Sequence, residues 1–136
     1  VYNDCMSCSC SSYDYVFQTG ATPQNVQWTV VRGDDASIRF EFYEDDGVTY
    51  KDITSWTVLA SAYDPKTATK YTLTVARGSG YIDISSASTQ TALWGTGSSN
   101  IVAELTFDLQ ITISSLKWTP IVGTIVVRSD ITGSSL

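Results

Sequence analysis

The sequence contains no histidine, only 8 basic residues, and no long unbroken run of apolar residues. Each absence argues against a class of function. Without histidine the usual general base near neutral pH is missing, and neither a serine nor a cysteine nucleophile has a visible activator. Set against 14 acidic residues, the few cations leave a net charge of −6. Phosphate binding needs clustered Lys and Arg to displace counterions, so nucleic acid is not an expected partner. No stretch of about 18 apolar residues is present to span a bilayer, and the opening Val1-Tyr2-Asn3-Asp4 has neither the basic start nor the apolar stretch of a secretory signal. The expectation is a soluble chain with no membrane insertion, no cofactor and no enzymatic activity.

What is present reads as β structure. With 136 residues and 43% apolar content, the chain has room for one domain around one core. From Ile101 to Ile113 the odd positions are apolar and the even ones mostly polar, the period-2 signature of a strand with one buried face. Ile38, Phe40 and Phe42 alternate with Arg39 and Glu41 in the same way, as do Tyr71, Leu73 and Val75 with Thr72 and Thr74. Trp28–Val31, Thr57–Tyr63 and Thr124–Arg128 are further strands, bounded by the turn signals Gly33, Asp64-Pro65 and Gly123. About seven strands and no long amphipathic helix predict an antiparallel sandwich rather than a parallel sheet. Its core is expected to hold Phe40, Phe42, Leu73, Leu105, Phe107 and Leu109. The one helical step is Ser85–Leu93, with Ser85 or Ser86 as cap and with Ala92 and Leu93 packing down. Gly95 and Gly97, with no Gly-Lys-Ser/Thr after them, make a turn and not a phosphate loop.

The order of these signals resembles a known family. Gly33-Asp34-Asp35 opens a strand, and Glu44-Asp45-Asp46-Gly47 makes an acidic turn. Asp52-Ile53-Thr54-Ser55-Trp56 leads into a second strand ending at Asp64-Pro65. Gly80-Tyr81-Ile82-Asp83-Ile84, the Ser85–Leu93 step and a closing strand through Asp130-Ile131-Thr132 follow. This succession is similar to the immunoglobulin-like domain of phage baseplate upper proteins, from which the chain departs at Ser55-Trp56, where that family prefers Gly after the Thr. The resemblance implies an immunoglobulin-like antiparallel β-sandwich over residues 25–132. The long first segment is a further departure from it, since residues 1–24, rich in Ser, Cys, Tyr and Gly with little alternation, read as an arm that such a domain does not need. Residues 133–136 read as a short tail. The resemblance also implies a virion location, with other virion structural proteins as partners and with homo-oligomer formation. The implied setting is the tail, baseplate or fibre attachment, with capsid decoration as the alternative.

The arm carries the most chemical-looking residues. Tyr13, Tyr15 and Phe17 stand at alternate positions and suit strand addition, either onto a neighbouring subunit or back onto the chain's own sandwich. Cys5, Cys8 and Cys10 form a Cys-x-x-Cys-x-Cys run. A structural zinc usually takes four ligands, and with no His and no fourth Cys only Asp4 or a neighbouring subunit would complete a set. The expectation is thiols without metal, with a Cys5–Cys8 or inter-subunit disulfide after release into an oxidising medium.

Carboxylate pairs are the remaining catalytic candidates. Asp34 with Asp35, and Glu44 with Asp45 and Asp46, lie at strand ends, where acids more often serve turns than the separated acid and base of a glycosidase. The acidic turn also lacks the ligand spacing of an EF-hand calcium loop. A sugar-binding module is the rival from another class, with Trp94 and Trp118, both near expected loops, as stacking platforms. Trp28 and Trp56 read as core.

Overall fold

Alternating side chains become eight strands in the computed structural model, which describes residues 22–96 and 102–131. The elements are β1 (Gln24–Val31), β2 (Ala36–Glu41), β3 (Thr57–Asp64), β4 (Thr69–Thr72), β5 (Thr74–Gly78), β6 (Tyr81–Ser86), α1 (Ser88–Thr91), β7 (Val102–Ile113) and β8 (Leu116–Arg128). They form a five-stranded sheet ordered β1-β8-β7-β3-β4 and a three-stranded sheet ordered β2-β6-β5. The chain is thus the expected all-β sandwich, with eight strands among the described residues rather than about seven.

The period-2 pattern explains the core. Leu105, Phe107, Leu109 and Ile111 bury one face of β7, and Phe40, Ile82 and Ile84 bury the facing side of the smaller sheet. Of the six residues expected inside, Phe40, Leu73, Leu105, Phe107 and Leu109 are buried, and Phe42 packs against the cluster while partly exposed. Two sets of edge-on rings fill the rest. Trp28 meets Phe107 at 5.8 Å and Trp94 at 6.4 Å between ring centres, and Trp56 meets Phe42 at 5.2 Å and Trp118 at 6.2 Å. Such T-shaped pairs set the positive ring edge against the negative face of a neighbour.

Four details differ from the sequence reading. First, β1 pairs with β8 in parallel, from Gln24↔Ile121 to Val31↔Arg128. A parallel pair needs a long crossover, and here the rest of the domain supplies it. Second, the alternating segment around Leu73 is two strands in different sheets. β4 hydrogen-bonds β3, β5 hydrogen-bonds β6, and Leu73 alone passes between the layers, donating its N–H to the Ala60 carbonyl at 3.0 Å. Third, Gly123 lies inside β8 rather than at its start. A Cβ there would stand 1.9 Å from the Val26 carbonyl oxygen and 2.8 Å from the Phe107 ring, so only glycine lets β1 lie so close. Fourth, Ser85 and Ser86 belong to β6, and α1 starts after Ala87 with no side-chain cap. Asp35 Oδ1 instead accepts from the Ser88 N–H at 2.7 Å. Ala92 and Leu93 stay exposed, while Thr91 and Trp94 turn inward.

Candidate functional site

The acidic residues between β2 and β3 build turns. Asp46 accepts from the Val48 and Thr49 amides, both at 2.8 Å, and from Thr49 Oγ1 at 2.6 Å. The Thr49 hydroxyl and these two amides hold its carboxyl below the ordinary range. Gly47 follows at φ +72, a conformation glycine adopts without steric cost. Asp52 caps the next turn through the Thr54 amide and hydroxyl, which lower its pKa in turn. Arg77 clasps this turn, donating to the Ile53 and Trp56 carbonyls. Tyr43 and Tyr50 stack at 5.0 Å, and the Glu41 carboxylate, accepting from Tyr43 Oη at 2.6 Å, pushes that phenol well above its usual range. On the three-stranded sheet Arg39 makes a bidentate pair with Asp83 at 2.7 and 3.0 Å and lies over the Tyr81 ring.

Trp94 and Trp118, the sugar platforms of the rival reading, are core residues. Trp94 has no exposed surface and Trp118 only 4%, so neither ring face can receive a pyranose. The loop carrying Trp94 is drawn inward by buried polar groups. Arg32 donates from Nε to the Trp94 carbonyl at 2.7 Å, from Nη2 to the Gly95 carbonyl at 3.4 Å and from Nη1 to Ser129 Oγ at 3.1 Å. Asp64, 1% exposed, accepts from the Gly95 amide at 2.9 Å through Oδ2 and from the Lys66 amide at 2.9 Å through Oδ1. Buried polar groups require such partners, and here they fasten the loop down. The remaining site residues of the sequence reading, Cys5, Cys8, Tyr13, Tyr15 and Phe17, lie outside the described residues.

Among the described residues a groove of about 660 Å³ lies on the outer face of the five-stranded sheet. Register places its residues in rows. One row runs Asn25, Val122, Asp108, Ser61 and Thr72 across β1, β8, β7, β3 and β4. A second runs Thr124, Thr106, Tyr63 and Lys70 across β8, β7, β3 and β4. Short side chains at Ser61, Thr106 and Thr124 leave the middle low, while Leu59 and Tyr63 stand over it with 60% and 44% of their surface exposed. Sequence reading treated the even positions of β7 only as a solvent face. The groove draws on all five strands of a sheet whose order no local pattern reveals.

No family model matches the chain. No curated protein matches it either. A solved structure of a nucleoside hydrolase-related hypothetical protein from Saccharophagus degradans, associated with carbohydrate metabolism, is similar at 10% identity and a TM-score of 0.30. The alignment covers 81% of this chain but 23% of that one, too loose a likeness to carry any argument.

Asp108 is the group whose chemistry the groove alters. Surrounding protein raises its carboxyl pKa by desolvation, and the ammonium of Lys70 partly offsets this. A raised folded-state pKa means that the native state holds the proton more tightly than the unfolded chain. The charged form therefore costs stability above that pKa, and the cost disappears as pH falls through the carboxylate range. Asp108→Asn is expected to raise the melting temperature at pH 7 and to lose that advantage in acid. An equal shift at both pH values would remove desolvation as the cause.

Proposed function

We propose that the chain is a non-enzymatic structural subunit of a tailed-phage virion, joining or attaching other subunits in the tail, baseplate or fibre region. One observation carries this reading beyond the order of turn and strand signals. Among the described residues β1 is an edge strand of eight residues, Gln-Asn-Val-Gln-Trp-Thr-Val-Val, with neither charge nor proline. Natural sheets blunt such edges with charges, prolines, bulges or brevity, because unpaired N–H and C=O groups otherwise recruit another chain. The other edges follow that rule. β4 is four residues long and carries Lys70, β2 carries Arg39 and Glu41, and β5 carries Arg77.

An unguarded edge directly after residues 1–21, with their alternating Tyr13, Tyr15 and Phe17, suits assembly by strand addition, in which main-chain bonds give affinity and side chains give register. The negative surface of free subunits opposes association until that contact forms. Deleting Val1 to Gly20 is expected to leave a cooperatively unfolding domain that no longer self-associates or enters the particle, as read by sedimentation. In the full chain, Gln27→Lys with Thr29→Lys is expected to do the same by guarding the edge. Normal incorporation of both variants would defeat the proposal.

A further inference from the structure

The outer groove offers a set of groups that the assembly reading does not use. Its floor belongs to β8, β7 and β3, each paired on both sides. No free main chain is available there, so a peptide has no ladder to extend. A single cation, Lys70, is balanced by Asp108, which disfavours a phosphate or another polyanion. A purely apolar occupant would strip water from the Asp108 carboxylate and offer no donor in return, an unfavourable exchange. The occupant must bring hydroxyl donors for the floor and an apolar face for Leu59 and Tyr63.

Pyranose rings meet both demands, with axial C–H faces suited to an aromatic wall and equatorial hydroxyls suited to carboxylate and amide groups. From β1 to β4 the face spans four strand spacings, about 19 Å, room for several linked rings. The volume of about 660 Å³ falls within the range of about 300 to 1,000 Å³ typical of ligand pockets.

We infer that the outer face of the five-stranded sheet is an oligosaccharide-binding groove, in which Tyr63 and Leu59 carry the sugar faces and Asp108, Gln110, Asn25 and Lys70 bond the hydroxyls. This moves the sugar site from Trp94 and Trp118 to the opposite side of the sheet from the core. The raised pKa of Asp108 accords with a carboxylate already part-stripped of water, which gives up less hydration when a hydroxyl replaces it.

The test is calorimetric titration of the full chain with cellohexaose, xylohexaose, maltohexaose and chitohexaose, with amide NMR shifts to locate the contact. At least one glycan is expected to bind, with shifts centred on residues 59–63 and 106–110. Tyr63→Ala and Asp108→Asn should each weaken binding about tenfold or more while cooperative melting is kept. The edge variant Gln27→Lys with Thr29→Lys should bind as the parent does, which separates this inference from the assembly reading. Failure of all four glycans, or binding indifferent to both groove variants, would overturn it. So would self-association that Leu59→Ser and Tyr63→Ala abolish, because the groove would then belong to a second copy of the chain.

Discussion

Trp94→Ala is expected to destabilise the fold by about 3 to 5 kcal/mol, measured as a lower denaturant midpoint at unchanged slope. The indole has no exposed surface and fills the space between Trp28, at 6.4 Å, and Tyr71, at 6.2 Å between ring centres. Truncation forfeits its transfer free energy and opens a void that the Arg32 and Asp64 hydrogen bonds to the Trp94–Gly95 backbone would keep from collapsing. An exposed platform would behave otherwise, since surface substitutions usually fall within about 0.5 kcal/mol of neutral. Trp94→Phe refines the result. The buried Nε1–H of Trp94 has no hydrogen-bond partner, so phenylalanine removes an unsatisfied donor and should cost less than alanine. A near-neutral Trp94→Ala would overturn the core assignment.

Gly123→Val is expected to detach β1 from β8. The contact that forbids a side chain is with a backbone oxygen, that of Val26 at 1.9 Å, and a backbone atom held in a ladder cannot rotate aside as a side chain can. Overpacking ordinarily costs about 1 to 3 kcal/mol, and this site should reach or exceed the upper figure. Hydrogen exchange is the suitable measurement. Amides of Gln24–Val31 that bond to β8 should lose protection, while β7 amides bonded to β3 should keep theirs. Unchanged protection in β1 would show that the strand absorbs the valine by shifting. Because β1 is the edge proposed for assembly, the same variant should also weaken self-association.

Local pattern revealed the strands well and their partners poorly. Strand β7 was legible because one face of a twelve-residue strand is buried along most of its length, and period 2 registers burial alone. The same signal failed around Leu73 for the same reason. Alternation continues unbroken as the chain passes from one sheet to the other, since the side chains go on pointing alternately inward while the hydrogen-bond partner changes from β3 to β6. Gly123 read as a turn because the cause of the glycine, the Val26 carbonyl, is remote in sequence. Trp94 read as a candidate platform in the rival reading because it stands beside an expected loop, yet Arg32 and Asp64, both distant along the chain, fasten that loop over the core. The groove was illegible in principle. Asn25, Tyr63, Lys70 and Asp108 meet only through the order β1-β8-β7-β3-β4.

The parallel pairing of β1 with β8 has a mechanical meaning. Its register runs from Gln24↔Ile121 to Val31↔Arg128, so the chain enters the ladder at one end and leaves it at the other, about 23 Å away at 3.3 Å per residue. Tension between the preceding and following segments therefore runs along the two strands and slides them past each other. In that shear geometry all the rungs bear the load together, whereas an antiparallel terminal pair pulled at one end would open like a zipper, one rung at a time. Pulled through its two ends, the domain would meet the load in the orientation that resists it best.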